Sequence, residues 1–475
     1  MAQVLIVHGW SDTSASFGPL ANFLVARGWQ AKTLWLGDYI SMEDDVRVQD
    51  VATRMAQVID ERIAAGDLDK RFDMIVHSTG GLVARAWLTT RYRGRMAECP
   101  VRRLVMLAPA NYGSKLAAMG KSMLGRLVKG LDHGFHTGTS MLDDLELASP
   151  FQWELAQRDV LRAPGGDAER YYGADGVLPF VITGTRGYTG LLRQIANEDG
   201  SDGTVRVCAA NLNARGVTLD FRETDPDKVM QPWGSRIECE VPLAVLPTRT
   251  HATIIDPERA DPDSDDGITE TETEKRQLGE LILRALGCAD MDAYRQIQQD
   301  WAALSEATAQ RAGDDPENPS AAGYHQYMQM NAYAVDDHGK PVGDYFIEFF
   351  SNPEKTDDAA NAYLHAKVLE DVKKNSRNEA LRNLYFDRTD LVEGYYARFG
   401  AGESPVLYLS VHAEAPGANV SYFDADGSGA QGMVRVHLEG DVTQRWLKRN
   451  TTHFVQIILP RRPGEDVFGV KRYGM

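Results

Sequence analysis

Cysteine is scarce in this chain. Cys99, Cys208, Cys239 and Cys288 are scattered through 475 residues without a C-x-x-C pair. That excludes a disulfide framework and a thiolate zinc site and leaves free thiols. Long apolar runs are also missing, none approaching the roughly 20 residues that span a bilayer. Met1-Ala2-Gln3 passes directly into the strand-like Val4–Val7, with no basic n-region and no long h-region. No secretory signal or transmembrane helix is expected, and the sequence points to the cytoplasm. Positive charge is in deficit: 51 Lys and Arg against 68 Asp and Glu leave a net charge of −17. This argues against broad nucleic-acid binding. No G-x-G-x-x-G follows the first strand, so a dinucleotide-binding sheet lacks its fingerprint.

The charge is unevenly spread. Between Arg85 and Lys129 stand ten basic residues (Arg85, Arg91, Arg93, Arg95, Arg102, Arg103, Lys115, Lys121, Arg126, Lys129) and one acidic, Glu98. The block reads either as a surface for anionic head groups or as a solvated face without a partner. Asp256–Glu274 is strongly acidic. Asp261, Asp263 and Asp265 with Glu272 faintly resemble an EF-hand loop, but Gly267 is misplaced and Pro262 intrudes. A solvated loop without calcium is the expectation.

Strand and helix patterns alternate in the first half. Gln3–Val7, Gln30–Leu36, Phe72–Val76, Arg103–Leu107 and Leu178–Thr183 read as strands. Phe17–Arg27, Asp44–Ala65 and Leu82–Thr89 read as helices. The alternation predicts an α/β fold with a mainly parallel sheet and helices on both faces. Residues 111–174 interrupt it as a lid-like insert. Within the insert Leu116, Met119, Met123, Leu124, Leu127, Val128 and Leu131 fall near helical spacing beside Lys115, Lys121, Arg126 and Lys129. A membrane-contacting basic helix and an ordinary packing helix explain this stretch equally well. Arg276–Leu286 and Met291–Ala309 read as helices that close a first domain, 1–312. Residues 313–323 (Gly-Asp-Asp-Pro-Glu-Asn-Pro-Ser-Ala-Ala-Gly) form a linker. Beyond it, 324–475 predicts a β-rich, largely antiparallel domain of sandwich type, with Ala359–Arg382 helical.

The chemistry is concentrated at Val76-His77-Ser78-Thr79-Gly80-Gly81. A serine between an apolar strand and a helix, with small residues behind it, marks a nucleophile elbow. Val76 stands where G-x-S-x-G has its first glycine. A serine hydroxyl needs an adjacent base, and the base needs an acid to fix its tautomer. In the order Ser, acid, His, the downstream histidine of the first 310 residues is His251. For the acid, Asp202 in Asp-Gly-Thr-Val sits at a turn after a strand; Asp199 is the main rival and Glu198 a lesser one. The backbone N–H groups of Thr79 and Trp10, the latter in Val7-His8-Gly9-Trp10, are the expected oxyanion donors. His8 reads as structural and His77 as packing beside the elbow.

His8-Gly9-Trp10, His77-Ser78-Thr79-Gly80-Gly81, Ala108-Pro109-Ala110-Asn111-Tyr112-Gly113-Ser114, Asp202-Gly203-Thr204-Val205 and His251 resemble the motif series of α/β-hydrolase lipases. The elbow without its leading glycine, together with the β-rich extension, resembles the PlaB-type bacterial phospholipases A. The motifs cover about the first 255 residues. The resemblance implies phospholipase A and lysophospholipase activity by a Ser78–Asp202–His251 triad, with no metal and no cofactor. It also implies phospholipid and lysophospholipid substrates, peripheral membrane contact (the outer membrane included) and a homo-oligomer, dimer or tetramer. A soluble carboxylesterase, thioesterase or acyltransferase could use the same triad.

Overall fold

The computed structural model describes residues 3–10, 12–30, 33–119, 138–188, 197–258, 270–313, 321–399, 406–423, 433–437 and 447–474. Six parallel strands form the first sheet. Their spatial order is Leu243–Leu246, Leu178–Gly184, Val101–Leu107, Phe72–His77, Val4–Val7, Leu34–Gly37. Each strand is almost continuously apolar because both faces are covered. Alternate residues therefore serve opposite cores. Leu5, Met74, Leu104 and Val181 pack beneath the helices Val48–Ala65, Gly80–Arg91 and Pro150–Asp159. Val4, Ile75, Val105 and Ile182 pack against Gly18–Ala26, Glu272–Leu286 and Met291–Ala309.

Local chemistry sets the helix ends. The Asp50 carboxylate accepts the Arg47 N–H at 3.0 Å, and Gly66 at φ 77° ends Val48–Ala65 in the left-handed conformation. Thr271 and Glu274 cap Glu272–Leu286 reciprocally. Asp290 accepts the N–H groups of Asp292 and Ala293 to start Met291–Ala309.

The expected lid-like insert turns out to contribute to the core where it is described. Thr139–Leu145 and Pro150–Asp159 are helices, and Met141, Leu145, Trp153, Leu155 and Ala156 are buried in the first core. Residues 120–137, including most of the basic amphipathic stretch, lie outside the described residues.

The second half holds two further sheets sharing one core, as a sandwich does. One has the order Leu369–Lys374, Leu381–Asp387, Tyr327–Asp336, Thr452–Leu459, Arg215–Asp220, Met230–Pro232. The other pairs Tyr345–Phe350, Val406–Ala413 and Met433–His437. Two sequence expectations are corrected here. Arg215–Asp220 and Met230–Pro232 come from the first 312 residues yet belong to the larger of these sheets, so the linker does not separate the layers. Three of that sheet's five pairings are antiparallel, in line with the largely antiparallel expectation, and Thr452–Leu459 runs parallel to both of its neighbours. Ala359–Arg382 is not one helix. A short helix Asp358–Tyr363 and a π-turn lead into a hairpin of Leu369–Lys374 and Leu381–Asp387. The Asn375 carboxamide oxygen accepts the N–H groups of Arg377 and Asn378, each at 3.0 Å, and this side-chain turn overrides helical spacing.

The outer face of the larger sheet packs on the first core through aromatic rings. Phe454 meets Tyr112 and Trp153 at 5.4 and 5.3 Å, and Tyr333 meets Trp153 at 5.4 Å. Geometry of this kind favours edge-to-face contacts.

Candidate active site

Ser78 occupies the turn between Phe72–His77 and Gly80–Arg91 with φ 53°. A non-glycine residue in this region is strained and stays there only when its surroundings over-determine it. Here they do. The Ser78 N–H donates to the Leu107 carbonyl at 3.1 Å, and its own carbonyl accepts from Gly81 and Ala110 at 3.0 and 3.2 Å. A Cβ on Gly80 would lie 2.8 Å from the His8 carbonyl oxygen, so this glycine is demanded by close approach of the first-strand loop.

His251 and Asp202 meet side chain to side chain. The imidazole Nδ1 lies 2.8 Å from Asp202 Oδ2, and the His251 N–H donates to the Asp202 carbonyl at 2.9 Å. Asp202 is fully buried, and its other oxygen accepts the N–H groups of Thr204 and Val205 at 3.0 and 2.7 Å. These bonds fix the carboxylate's orientation towards the imidazole. The imidazole is brought to the elbow by its neighbours. His77, adjacent to Ser78, donates Nε2–H to the His251 carbonyl at 3.1 Å, and the two rings are 4.6 Å apart. Burial, then the charge His251 can carry, holds His77 well below the ordinary histidine range, so it stays neutral. Among the described residues Ser78 Oγ makes no hydrogen bond with the imidazole, a contact that in hydrolases often tightens only around substrate.

The first-strand loop lies directly over the hydroxyl. A Cβ on Gly9 would sit 2.7 Å from Ser78 Cβ and 3.3 Å from Oγ. Among the described residues, the backbone N–H groups of Trp10 and Thr79 have no protein acceptor. His8 holds the loop in place. Its Nδ1 contacts the Gly9 carbonyl at 2.7 Å, its Nε2 contacts Asp38 at 2.8 Å, and its ring stacks on Tyr39.

The rival acids point elsewhere. Glu198 is bound by Arg206 at 2.6 and 2.8 Å and by Lys115 at 2.8 Å. Burial alone would raise its pKa, but Arg206 and Lys115 bring it down to about 2. The Asp199 carbonyl accepts the Tyr385 hydroxyl at 2.6 Å, and its carboxylate faces the charges of His325 and Asp387. Arg206 was not singled out in the sequence. It is buried, lies 3.8 Å over the Tyr385 ring and reaches Asn383 at 2.6 Å, so it fastens the acid-bearing loop to the second-half sheet. Its position directly after Asp-Gly-Thr-Val was the available signal.

The basic block is largely neutralised. Arg85 forms a buried bidentate pair with Asp159 at 2.8 and 3.0 Å. Arg91, Arg93, Arg95, Arg103 and Lys115 pair with Asp60, Asp167, Glu98, Asp73 and Glu198. Lys121, Arg126 and Lys129 lie outside the described residues, as does the centre of the acidic loop. Among the seven described basic residues of the block, six are thus paired with carboxylates. All four cysteines are free thiols. No described helix is long and apolar enough to cross a membrane.

No family model and no curated protein sequence matches this chain. Solved structures do. Phospholipase PlaB from Legionella pneumophila aligns at TM-score 0.77 and 26% identity, over 100% of this chain and 97% of its own. The same protein in complex with thio-NAD aligns with the same values. A Bacillus licheniformis lipase, BlEst2, aligns at TM-score 0.37 and 14% identity over 54% of this chain and 86% of its own. The full-length correspondence to PlaB includes both the parallel sheet and the β-rich half. The chain is thus an ester-hydrolysing α/β-hydrolase that is similar over its full length to a PlaB-type phospholipase.

Proposed function

We propose that the protein is a phospholipase A and lysophospholipase acting through Ser78, His251 and Asp202. The observation that carries this is the 2.8 Å Asp202–His251 bond set beside a serine held at φ 53°. Ser78 Oγ attacks the carbonyl carbon of a glycerophospholipid ester while His251 Nε2 takes its proton. Asp202 keeps the other ring proton on Nδ1 and stabilises the imidazolium. The oxyanion is received by the N–H groups of Trp10 and Thr79. His251 then protonates the departing lysolipid alcohol, and water, activated by the same base, releases the fatty acid.

An apolar cleft of about 650 Å³ between Leu34–Gly37 and Val48–Ala65 supports a long-chain substrate. Leu36, Ile40, Met55 and Val58 line it, and Asp38 and Tyr39 join it to the His8 side of the oxyanion loop. Peripheral contact with a phospholipid surface and assembly as a dimer or tetramer belong to the same reading. Thio-NAD on a PlaB structure makes a nicotinamide dinucleotide a ligand to assay here as well. The test is hydrolysis of phosphatidylcholine and lysophosphatidylcholine vesicles, with products resolved by mass. Free fatty acid from wild type and none from Ser78→Ala supports the proposal. Cleavage of short soluble esters alone replaces it with a soluble carboxylesterase, thioesterase or acyltransferase.

A further inference from the structure

His77 occupies a place at the elbow that an apolar side chain would fill more cheaply. Alternation along Phe72–His77 puts its ring on the same face of the sheet as Ile75. Phe17, just ahead of Gly18–Ala26, and Ile254, just beyond the base, pack in the core on that face. The His77 ring meets the Phe17 ring edge-on at 5.9 Å. The residue is 5% exposed, and Nδ1 is buried with no hydrogen-bond partner among the described residues. A buried polar atom left unpaired costs free energy. Leucine or phenylalanine would pack here without that cost, so packing alone does not account for a histidine.

What the imidazole adds is its other nitrogen. Nε2 lies 3.1 Å from the carbonyl oxygen of His251. A carbonyl only accepts, so the ring proton sits on Nε2. Burial keeps the ring neutral, which leaves Nδ1 as the bare nitrogen. The bond spans 174 positions of sequence and joins the strand of the nucleophile directly to the loop of the base. The bonds of His251 to Asp202 refer to a different element. Its N–H donates to the Asp202 carbonyl at 2.9 Å, and its Nδ1 faces Asp202 Oδ2 at 2.8 Å. Those two set the base against the acid. The His77 bond sets it against Ser78, the next residue in the chain. The two rings stand 4.6 Å apart, so His77 also limits the swing of the base.

We propose that His77 is a positioning residue for ester hydrolysis: its Nε2–H, donated to the His251 carbonyl, sets the distance between the base and the serine beside it. The proposal rests on the Ser78–Asp202–His251 reading. Glutamine can place an amide N–H near the position of Nε2, whereas leucine keeps the bulk and has no donor. The test compares His77→Leu and His77→Gln in the full chain on a soluble nitrophenyl ester. His77→Leu should lower kcat by about 10², with KM changed by less than about threefold and the circular dichroism spectrum of wild type. His77→Gln should recover kcat to within about tenfold of wild type. Nitrogen-15 spectra of histidine-labelled wild type should show His77 as the neutral Nε2–H tautomer at neutral pH, a readout that does not depend on the folding of a variant. Equal losses in the two variants, or an Nδ1–H tautomer in wild type, overturn the proposal. Full activity in His77→Leu beside an inactive Ser78→Ala overturns the positioning role alone. Activity that survives Ser78→Ala overturns the triad and the positioning role with it.

Discussion

Replacing Asp202 by asparagine tests the triad at the point where the structure is most explicit. One carboxylate oxygen accepts two buried backbone N–H groups, and the other faces His251 Nδ1. Asparagine has a single acceptor oxygen. If its NH₂ group faced Thr204 and Val205, two buried donors would lose their acceptor, at about 1–3 kcal/mol each. The carboxamide therefore keeps its oxygen on the backbone and turns NH₂ towards the imidazole. His251 Nδ1 must then accept, its proton moves to Nε2, and the nitrogen that should deprotonate Ser78 has no lone pair. A tautomer error of this type lowers kcat by about 10⁴, or about 5.5 kcal/mol in the barrier. Steady-state hydrolysis of a soluble nitrophenyl ester and of phospholipid vesicles should both show this loss, with an unchanged circular dichroism spectrum. Activity of Asp202→Asn within tenfold of wild type would refute the reasoning, as would a larger loss in Asp199→Asn.

Other expectations follow from neighbouring contacts. Gly9→Ala places a methyl 2.7 Å from Ser78 Cβ, so esterase activity should fall by about 10² or more while the melting temperature changes little. Arg206→Ala strands Glu198 with Lys115 alone and should cost about 3–5 kcal/mol in urea unfolding. Glu198 sits at about 2, below its ordinary value of 4.5. Its share of stability is complete above about pH 4.5 and disappears as pH falls towards 2, and acid titration of wild type against Arg206→Ala should show that difference. Val58→Trp partly fills the apolar cleft and should shift preference to shorter acyl chains in a chain-length series; an unchanged profile removes the cleft from the substrate path.

Much of the catalytic half was legible from sequence because its signals are local. The elbow, the first-strand loop and the strands from Phe72 to Gly184 depend on apolar runs, small residues and chain order, and Met291–Ala309 has the predicted ends. The choice of Asp202 over Asp199 and Glu198 was harder, since three carboxylates within five residues differ only in where the loop points them. Arg206 and Tyr385 decide that, and Tyr385 lies far along the chain. The hairpin within Ala359–Arg382 was misread because Asn375 acts through side-chain hydrogen bonds that apolar spacing does not register. The buried neutralisation of Arg85 and Arg103 and the pairing of His325 with Asp387 are long-range facts. Composition could not express them.

The strand Arg215–Asp220 lies between Asp202 and His251 in the chain, yet one of its two neighbours in the sheet is Thr452–Leu459, made long after it. During translation at about 5–20 residues per second, the ribosome emits a long intervening stretch before that neighbour arrives. The hydrolytic machinery is thereby timed by its own tail: a nascent or prematurely terminated product lacks the buttress under its acid–base segment. Removing Thr452–Leu459 should therefore unsettle the acid–base segment although it lies far from it in the chain.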